Sequence, residues 1–458
     1  MRYTQTMRRR LQHVLVIGAA LALVVLGWLL TTDHPAVWPV RNVLLYQLLT
    51  RRPPPPPEWA ALETVVERVR PPSRLALPAD LPRGALAGAV RGPAGQPIAG
   101  ATVLVAARDG TTWSAESDAQ GRYHLTDVAV GSYIPVAGAP GWEDTAVRTL
   151  LGIQVHAAQV TPFDITLRLR RAQPLRPASE VRLSPPVVAR SGGPILATAL
   201  RRELQFRVGA RRNQLTLVYT PDDGRATPLP VLLAVYPGPA DSWESVSLPL
   251  AEAGFVVVAV GPAYALDLEQ DVDDLLRVIA LARAGQLPRA DGRRIGALGG
   301  SYSGLHVLRL AVREPQALDA ALLLGAPTDA FELRRQFEAG TFNPPFGLDR
   351  ALIALGLPSQ VPERYFRYSA RYHARAIQAP LMLIHSDQDE IVPVDQSVLL
   401  AAELARLGKP HELRILRGMP HYLFAAESSP ALDDLFATTL DFLRRELMQA
   451  ERNAQPKP

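Results

Sequence analysis

The sequence predicts a chain of three parts: an apolar N-terminal helix, a small all-β sandwich, and a larger domain whose mainly parallel sheet carries helices on both faces. Three observations predict it. Residues 11–30 contain no Asp, Glu, Lys or Arg. Residues 85–170 are short β-prone runs separated by Gly turns. From residue 200 to 450, apolar strands alternate with amphipathic helices, the pattern of strands joined by crossover helices. At 458 residues, 48% hydrophobic and 20% charged, the chain has material for more than one core.

Residues 1–10 carry Arg2, Arg8, Arg9 and Arg10 and read as a cytoplasmic tail. The next twenty residues would span roughly 30 Å as a helix, enough for a hydrocarbon core. Arginines before the segment favour an N-terminus inside and everything later outside, and Trp28 suits the far interface. The expectation is a single-pass membrane anchor over residues 11–30. A cleaved signal peptide is the rival, but no small-x-small cleavage site follows Leu30. Residues 31–84 read as a stalk, stiffened by the five prolines from Pro53 to Pro57.

Composition excludes several chemistries. The chain has no cysteine, so disulfides, thiolate metal sites and a cysteine nucleophile are absent. Net charge is only +5, and the arginines are scattered as pairs such as Arg201-Arg202 and Arg293-Arg294. That pattern makes solvated faces and gives no stripe for nucleic acid. His124 and His156 are isolated and imply no metal site.

In the β region, strands are expected over 86–90, 102–106, 123–128, 133–136 and 165–169, with turns at Gly92-Pro93, Asp109-Gly110 and Gln120-Gly121. Gly88, Val90, Gly95, Pro97, Gly100, Ala101 and Val103 are followed by Asp118, Gly121, Tyr123, Leu125, Gly131, Tyr133 and Gly141. With these residues the segment resembles the carboxypeptidase regulatory-like domains, a transthyretin-like sandwich family. The resemblance implies a structural or binding appendage and leaves an envelope component as a candidate ligand.

Residues 171–199 read as a Pro- and Arg-rich linker or extended lead-in. Beyond it, 204–208 and 214–219 form an expected hairpin, followed by strands over 231–235, 255–260, 294–298, 320–324, 381–385 and 412–416. Helices fit at 240–253, 266–284, 304–313, 394–407 and 431–448. Residues 451–458 are a tail. The antiparallel opening pair points to the α/β-hydrolase variant of this architecture.

Three strand ends carry the chemistry. Gly299 lies two before Ser301 at a predicted strand–helix junction, as a nucleophile elbow requires. Position 303 is Ser where that motif has Gly. Asp387 and Asp389 follow the 381–385 strand, either one placed to orient a histidine, and His421 follows the last strand. The order Ser, acid, His is that of α/β-hydrolases.

The segments around Gly299-Gly300-Ser301-Tyr302-Ser303-Gly304 and from His385 to Pro393 resemble the prolyl oligopeptidase-like and dienelactone hydrolase-like serine hydrolases over about residues 200–450. The resemblance selects Asp389 as the acid, places His421 as the base and makes His385 structural. It implies a Ser301–His421–Asp389 triad cleaving an ester or a peptide bond through an acyl-enzyme, with no cofactor and a small ester or peptide as substrate. One oxyanion donor is expected from the Tyr302 N–H. The other is expected from the turn after 231–235, where Pro237 and Pro239 leave Gly238, Ala240 or the Tyr236 hydroxyl. A true dipeptidyl or prolyl peptidase is disfavoured because the roughly 85-residue sandwich is too small to supply a propeller. The rival from another class is a catalytically inactive hydrolase-fold binding protein of the cell envelope.

Between 327 and 379, eight of 53 positions are aromatic, well above the 6% of the chain. An aromatic cap over the site is one reading, ordinary helix packing the other.

Overall fold

The computed structural model describes residue 18 and residues 20–28, 77–171, 174–192, 194–261, 268–342, 355–421 and 429–448. Gly18 and residues 20–28 are helical and exposed, and the rest of the expected 11–30 span, the tails and most of the stalk lie outside the described residues. Among the described residues no helix is long and apolar enough to cross a membrane.

The β region is a sandwich. Arg83–Arg91 pairs antiparallel with Arg122–Ala129 and parallel with Val160–Pro162 and Ile165–Thr166. Facing it is a sheet ordered Thr112–Glu116, Thr102–Ala106, Val136–Gly138, Thr145–Ala146. Leu86, Val90, Val103, Val105, Leu125 and Ile165 fill the space between them, the inward halves of alternating strands. Gly88 is required where Arg83–Arg91 passes the backbone of residue 163, whose carbonyl a Cβ would overlap.

The larger domain is one twisted sheet with the path β1 (Ser179–Leu183), β2 (Thr198–Val208), β3 (Thr216–Pro221), β5 (Val256–Val260), β4 (Leu229–Val235), β6 (Ala290–Gly300), β7 (Ala320–Leu324), β8 (Leu381–Ser386), β9 (His411–Leu416). Neighbours from β5 to β9 are parallel, and β1, β2 and β3 are antiparallel. The helices are α1 (Glu244–Glu252), α2 (Leu268–Arg283), α3 (Tyr302–Arg313), α4 (Ala330–Ala339), α5 (Pro362–Arg367), α6 (Asp395–Arg406) and α7 (Pro430–Leu447). Two buried clusters, one on each sheet face, complete the α/β-hydrolase fold. The central strands are buried at nearly every position because helices cover both faces.

One expectation is refined here and one open pair of readings is decided. The segment read as a linker or extended lead-in over 171–199 supplies two strands to the large sheet, Ser179–Leu183 and Val187–Arg190, both antiparallel to β2. Its run Val187–Ala189 is β-branched and apolar enough to pair, a signal masked by the prolines around it. Of the two readings of the aromatic insertion, helix packing is the one its described residues bear out. Phe331, Tyr365 and Phe366 form a buried cluster with Leu104, Ala106 and Val136 of the sandwich, and Tyr368 and Tyr372 pack against it. The insertion is therefore a docking surface between the two domains. Phe337 and Phe342 pack with Leu333, and Phe346 lies outside the described residues.

Polar contacts frame this interface. Thr112 Oγ1 lies 3.1 Å from the Tyr372 hydroxyl, and Glu116 takes Arg375 at 2.8 Å and Arg406 at 2.7 Å. Burial pushes the Glu116 carboxyl up, but the two arginines outweigh it and hold the group below its usual range. A depressed carboxylate contributes stability at neutral pH that is lost as pH falls through the carboxylate range. Glu116→Gln should therefore flatten the acid limb of the melting-temperature curve. The loss at pH 7 should stay below about 1 kcal/mol, because the arginines are half exposed.

Candidate active site

Ser301 follows β6 directly and precedes the first residue of α3. Its backbone sits at φ 52° and ψ −131°, a left-handed setting rare for a side-chain-bearing residue and expected of a nucleophile elbow. The turn is pinned from below: Ser301 N–H donates to Leu324 O at 2.8 Å, and Gly304 N–H to Ser301 O at 3.0 Å.

Small residues make this approach possible. A Cβ on Gly299 would stand 2.8 Å from Val307 Cγ2, and one on Gly304 would overlap Ala326. Ser303, the departure from the Gly pattern, is fully buried and performs a task glycine could not. Its Oγ accepts from Gly300 N–H at 3.0 Å and lies 2.6 Å from Val235 O and 2.7 Å from Gly300 O. The hydroxyl thus ties the elbow to the end of β4, where the turn carrying Tyr236 and Pro237 begins.

Asp389 lies on the loop after β8. Its Oδ1 accepts from Ile391 N–H at 2.9 Å and Val392 N–H at 2.7 Å. Its Oδ2 lies 2.6 Å from His421 Nδ1 and 3.2 Å from His385 Nε2. Burial alone would raise the Asp389 carboxyl, but these hydrogen bonds, led by His385 and then His421, hold it well below the usual carboxylate range. His385 is fully buried, with Nε2 2.8 Å from Val392 O and Nδ1 2.7 Å from Ser397 Oγ. A ring donating from Nε2 to Val392 O and accepting at Nδ1 from the Ser397 hydroxyl fits these two contacts. Asp387 does something else: its Oδ1 accepts from Gly418 N–H at 2.7 Å, fixing the turn that delivers His421. His421 N–H donates to Glu390 Oε2 at 3.1 Å.

Sequence reasoning missed Gly325, at the end of β7. Its φ is 56°, and a Cβ there would stand 3.1 Å from Asp389 Oδ2 and 3.3 Å from the His421 ring. The only sequence signal was a glycine ending an apolar strand. Gly325→Ala should lower kcat/KM by one to two orders of magnitude at modest stability cost, because displacing the ring by a fraction of an ångström misaligns it. Steady-state kinetics beside a thermal melt checks this.

Ser301 and His421 share the wall of one cavity of about 170 Å³. Tyr236 and Pro237 stand on the same wall, whereas Gly238 and Ala240 are not among its described lining residues. The Tyr236 N–H donates to Val260 O at 2.9 Å, and its hydroxyl lies 2.9 Å from Ser247 Oγ. Tyr302 opens α3, so its N–H and the positive end of the helix dipole come immediately after the serine.

The family matches agree with this architecture. Residues 264–450 match the prolyl oligopeptidase family, and residues 85–168 match the carboxypeptidase regulatory-like domain. The chain is 37% identical over 67 residues to the uncharacterized peptidase YtmA of Bacillus subtilis (strain 168), covering 15% of this chain and 26% of that protein. It is 35% identical over 92 residues to a monoacylglycerol lipase of Mycolicibacterium smegmatis, covering 20% of this chain and 28% of that protein. The matched stretches thus span little more than a quarter of either relative. Among solved structures, an acylaminoacyl peptidase in complex with Z-Gly-Gly-Phe-chloromethyl ketone aligns with a TM-score of 0.45 at 17% identity, covering 75% of this chain and 61% of that one.

Proposed function

We propose that this chain, which carries a prolyl oligopeptidase-family domain at residues 264–450, is a serine hydrolase that cleaves an ester or amide through an acyl-enzyme. The observation that carries the reading is the shared cavity wall: Ser301 on a strained elbow and His421 paired with Asp389 at 2.6 Å meet in one apolar space. With Nδ1 held by Asp389, Nε2 of His421 is the nitrogen that takes the Ser301 proton. Ser301 Oγ attacks the acyl carbon, and the imidazolium returns its proton to the leaving oxygen or nitrogen as that bond breaks. Water, deprotonated by the same ring, then releases the acid. Asp389, kept ionised by its hydrogen bonds, stabilises the imidazolium without taking its proton.

The developing oxyanion would be met by the Tyr302 N–H. Of the three residues expected to supply the second donor, Tyr236 is the one on the cavity wall. Its backbone N–H already serves Val260, so the hydroxyl is the group we assign, accepting from Ser247 and donating to the oxyanion.

The enzyme would be held at the membrane with both domains extracytoplasmic. The four arginines of residues 1–10 and the uncharged residues 11–30 support this placement. Protease protection of the chain in sealed cells, against its digestion in spheroplasts, tests it.

Activity is tested by treating the full-length protein with a fluorophosphonate probe, using Ser301→Ala as the blank. Labelling of the parent alone is expected. A folded parent that resists the probe would overturn the enzyme reading and leave a hydrolase-fold binding protein.

A further inference from the structure

We propose that the cavity beside Ser301 is an acyl pocket selecting uncharged acyl groups of about six carbons, with Leu298 and Leu322 as its floor. The inference rests on the serine-hydrolase reading and supplies the substrate class that reading leaves open.

The floor is set by sheet register. Leu298 on β6 and Leu322 on β7 are paired neighbours, two residues before the pair Gly300 and Leu324. Side chains two apart along a strand share a face, so Leu298 and Leu322 lie one pleat below the elbow. Both are buried, and both line the cavity. One wall is a stripe of α7, in which Leu432, Leu435, Phe436 and Thr439 recur at helical spacing. These four are only half-buried because they border space instead of packed side chains. The opposite wall comes from Trp243, Val246 and Leu250 at α1 and the turn before it.

Size and polarity then choose the ligand. A dry apolar cavity of about 150 Å³ accommodates a benzene-sized group. At about 170 Å³ this one fits a six-carbon chain and leaves an acetyl group loose, and the buried floor of Leu298 and Leu322 limits how deep a longer chain can descend. Among the described lining residues there is no Asp, Glu, Lys or Arg. An α-ammonium or carboxylate entering the cavity would lose its water without gaining a partner. The pocket therefore discriminates against aminoacyl and dicarboxylic substrates and favours neutral aliphatic esters. In the reaction, the bond between acyl carbon and leaving oxygen breaks, the alcohol takes its proton from His421, and water supplies the hydroxyl of the released acid.

The test uses the full-length, detergent-solubilised protein and p-nitrophenyl esters from acetyl to dodecanoyl. The expected kcat/KM rises about fourfold per methylene up to about six carbons and then falls. Leu322→Ala should move the optimum to longer chains and Leu322→Phe to shorter ones, read as ratios of kcat/KM within each variant. If the fluorophosphonate labels Ser301 but the profile is flat, peaks at acetyl, or keeps its optimum in both folded Leu322 variants, the acyl pocket is wrong while the hydrolase reading survives. If the folded parent takes no label and turns over no ester, the hydrolase reading itself has failed and the pocket proposal falls with it.

Discussion

Asp389→Asn is expected to lower kcat by about four orders of magnitude, while Asp387→Asn leaves most of the activity. The asymmetry follows from what each carboxylate holds. Oδ2 of Asp389 accepts from His421 Nδ1 at 2.6 Å, which fixes the tautomer that leaves Nε2 to act as base. An amide there can present its NH₂ to the ring, stabilising the opposite tautomer with the proton on Nε2, and it cannot stabilise an imidazolium. The substitution also leaves the Ile391 and Val392 N–H groups and His385 facing a weaker acceptor, so some loss of stability should accompany the rate loss. Among the described residues the Asp387 carboxylate accepts from the Gly418 N–H alone, from an exposed position. Its replacement loosens the 416–421 turn without touching the ring. Single-turnover acylation with an activated ester measures the chemical step directly. Comparable losses in the two variants would show that the Asp389–His421 contact is not the one that matters.

The site was legible in the sequence where local geometry demands particular residues. Ser301 was recognisable because an elbow needs small residues on both sides, and Gly299 and Gly304 stand where a Cβ would strike Val307 or Ala326. His421 and the pair Asp387 and Asp389 were recognisable because they lie on the loops just after β9 and β8, and strand ends are readable from apolar runs bounded by turns; the choice of Asp389 came from the family resemblance. The catalytic strands and helices also fell within a few residues of their expected limits, since buried parallel strands and amphipathic helices have distinct periods.

Long-range packing was not legible. Nothing local distinguishes Tyr365 and Phe366 as sandwich contacts from aromatic residues closing over a substrate, because both roles need exposed aromatic surface on an isolated domain. Gly325 resembled any strand-ending glycine until β7 and β8 were paired and His421 was seen against it. The cavity was equally hidden, since its walls come from α1, β6, β7 and α7, segments more than a hundred residues apart at the extremes.

The docking of the two domains sets the largest expected stability effect. Phe366 is fully buried, stacks on Tyr372 with centroids 6.0 Å apart, and meets the His373 ring edge at 4.5 Å. On the sandwich side it lies against Gly138, where an added Cβ would be 2.8 Å from its ring. Phe366→Ala therefore removes a large apolar group whose place neither domain can refill, and should cost about 3–5 kcal/mol. A tethered appendage would respond differently, because the catalytic domain would melt at its own temperature whatever happened at position 366. The shared cluster instead predicts a single transition for sandwich and hydrolase in the parent, shifted down in Phe366→Ala, with loss of hydrolase activity following the same curve. Gly138→Val, approached from the other side of the contact, should reproduce the shift by pressing on Phe366 and Asp144. Two separate transitions in the parent, with hydrolysis surviving the first, would show that the sandwich is carried by the enzyme without supporting it.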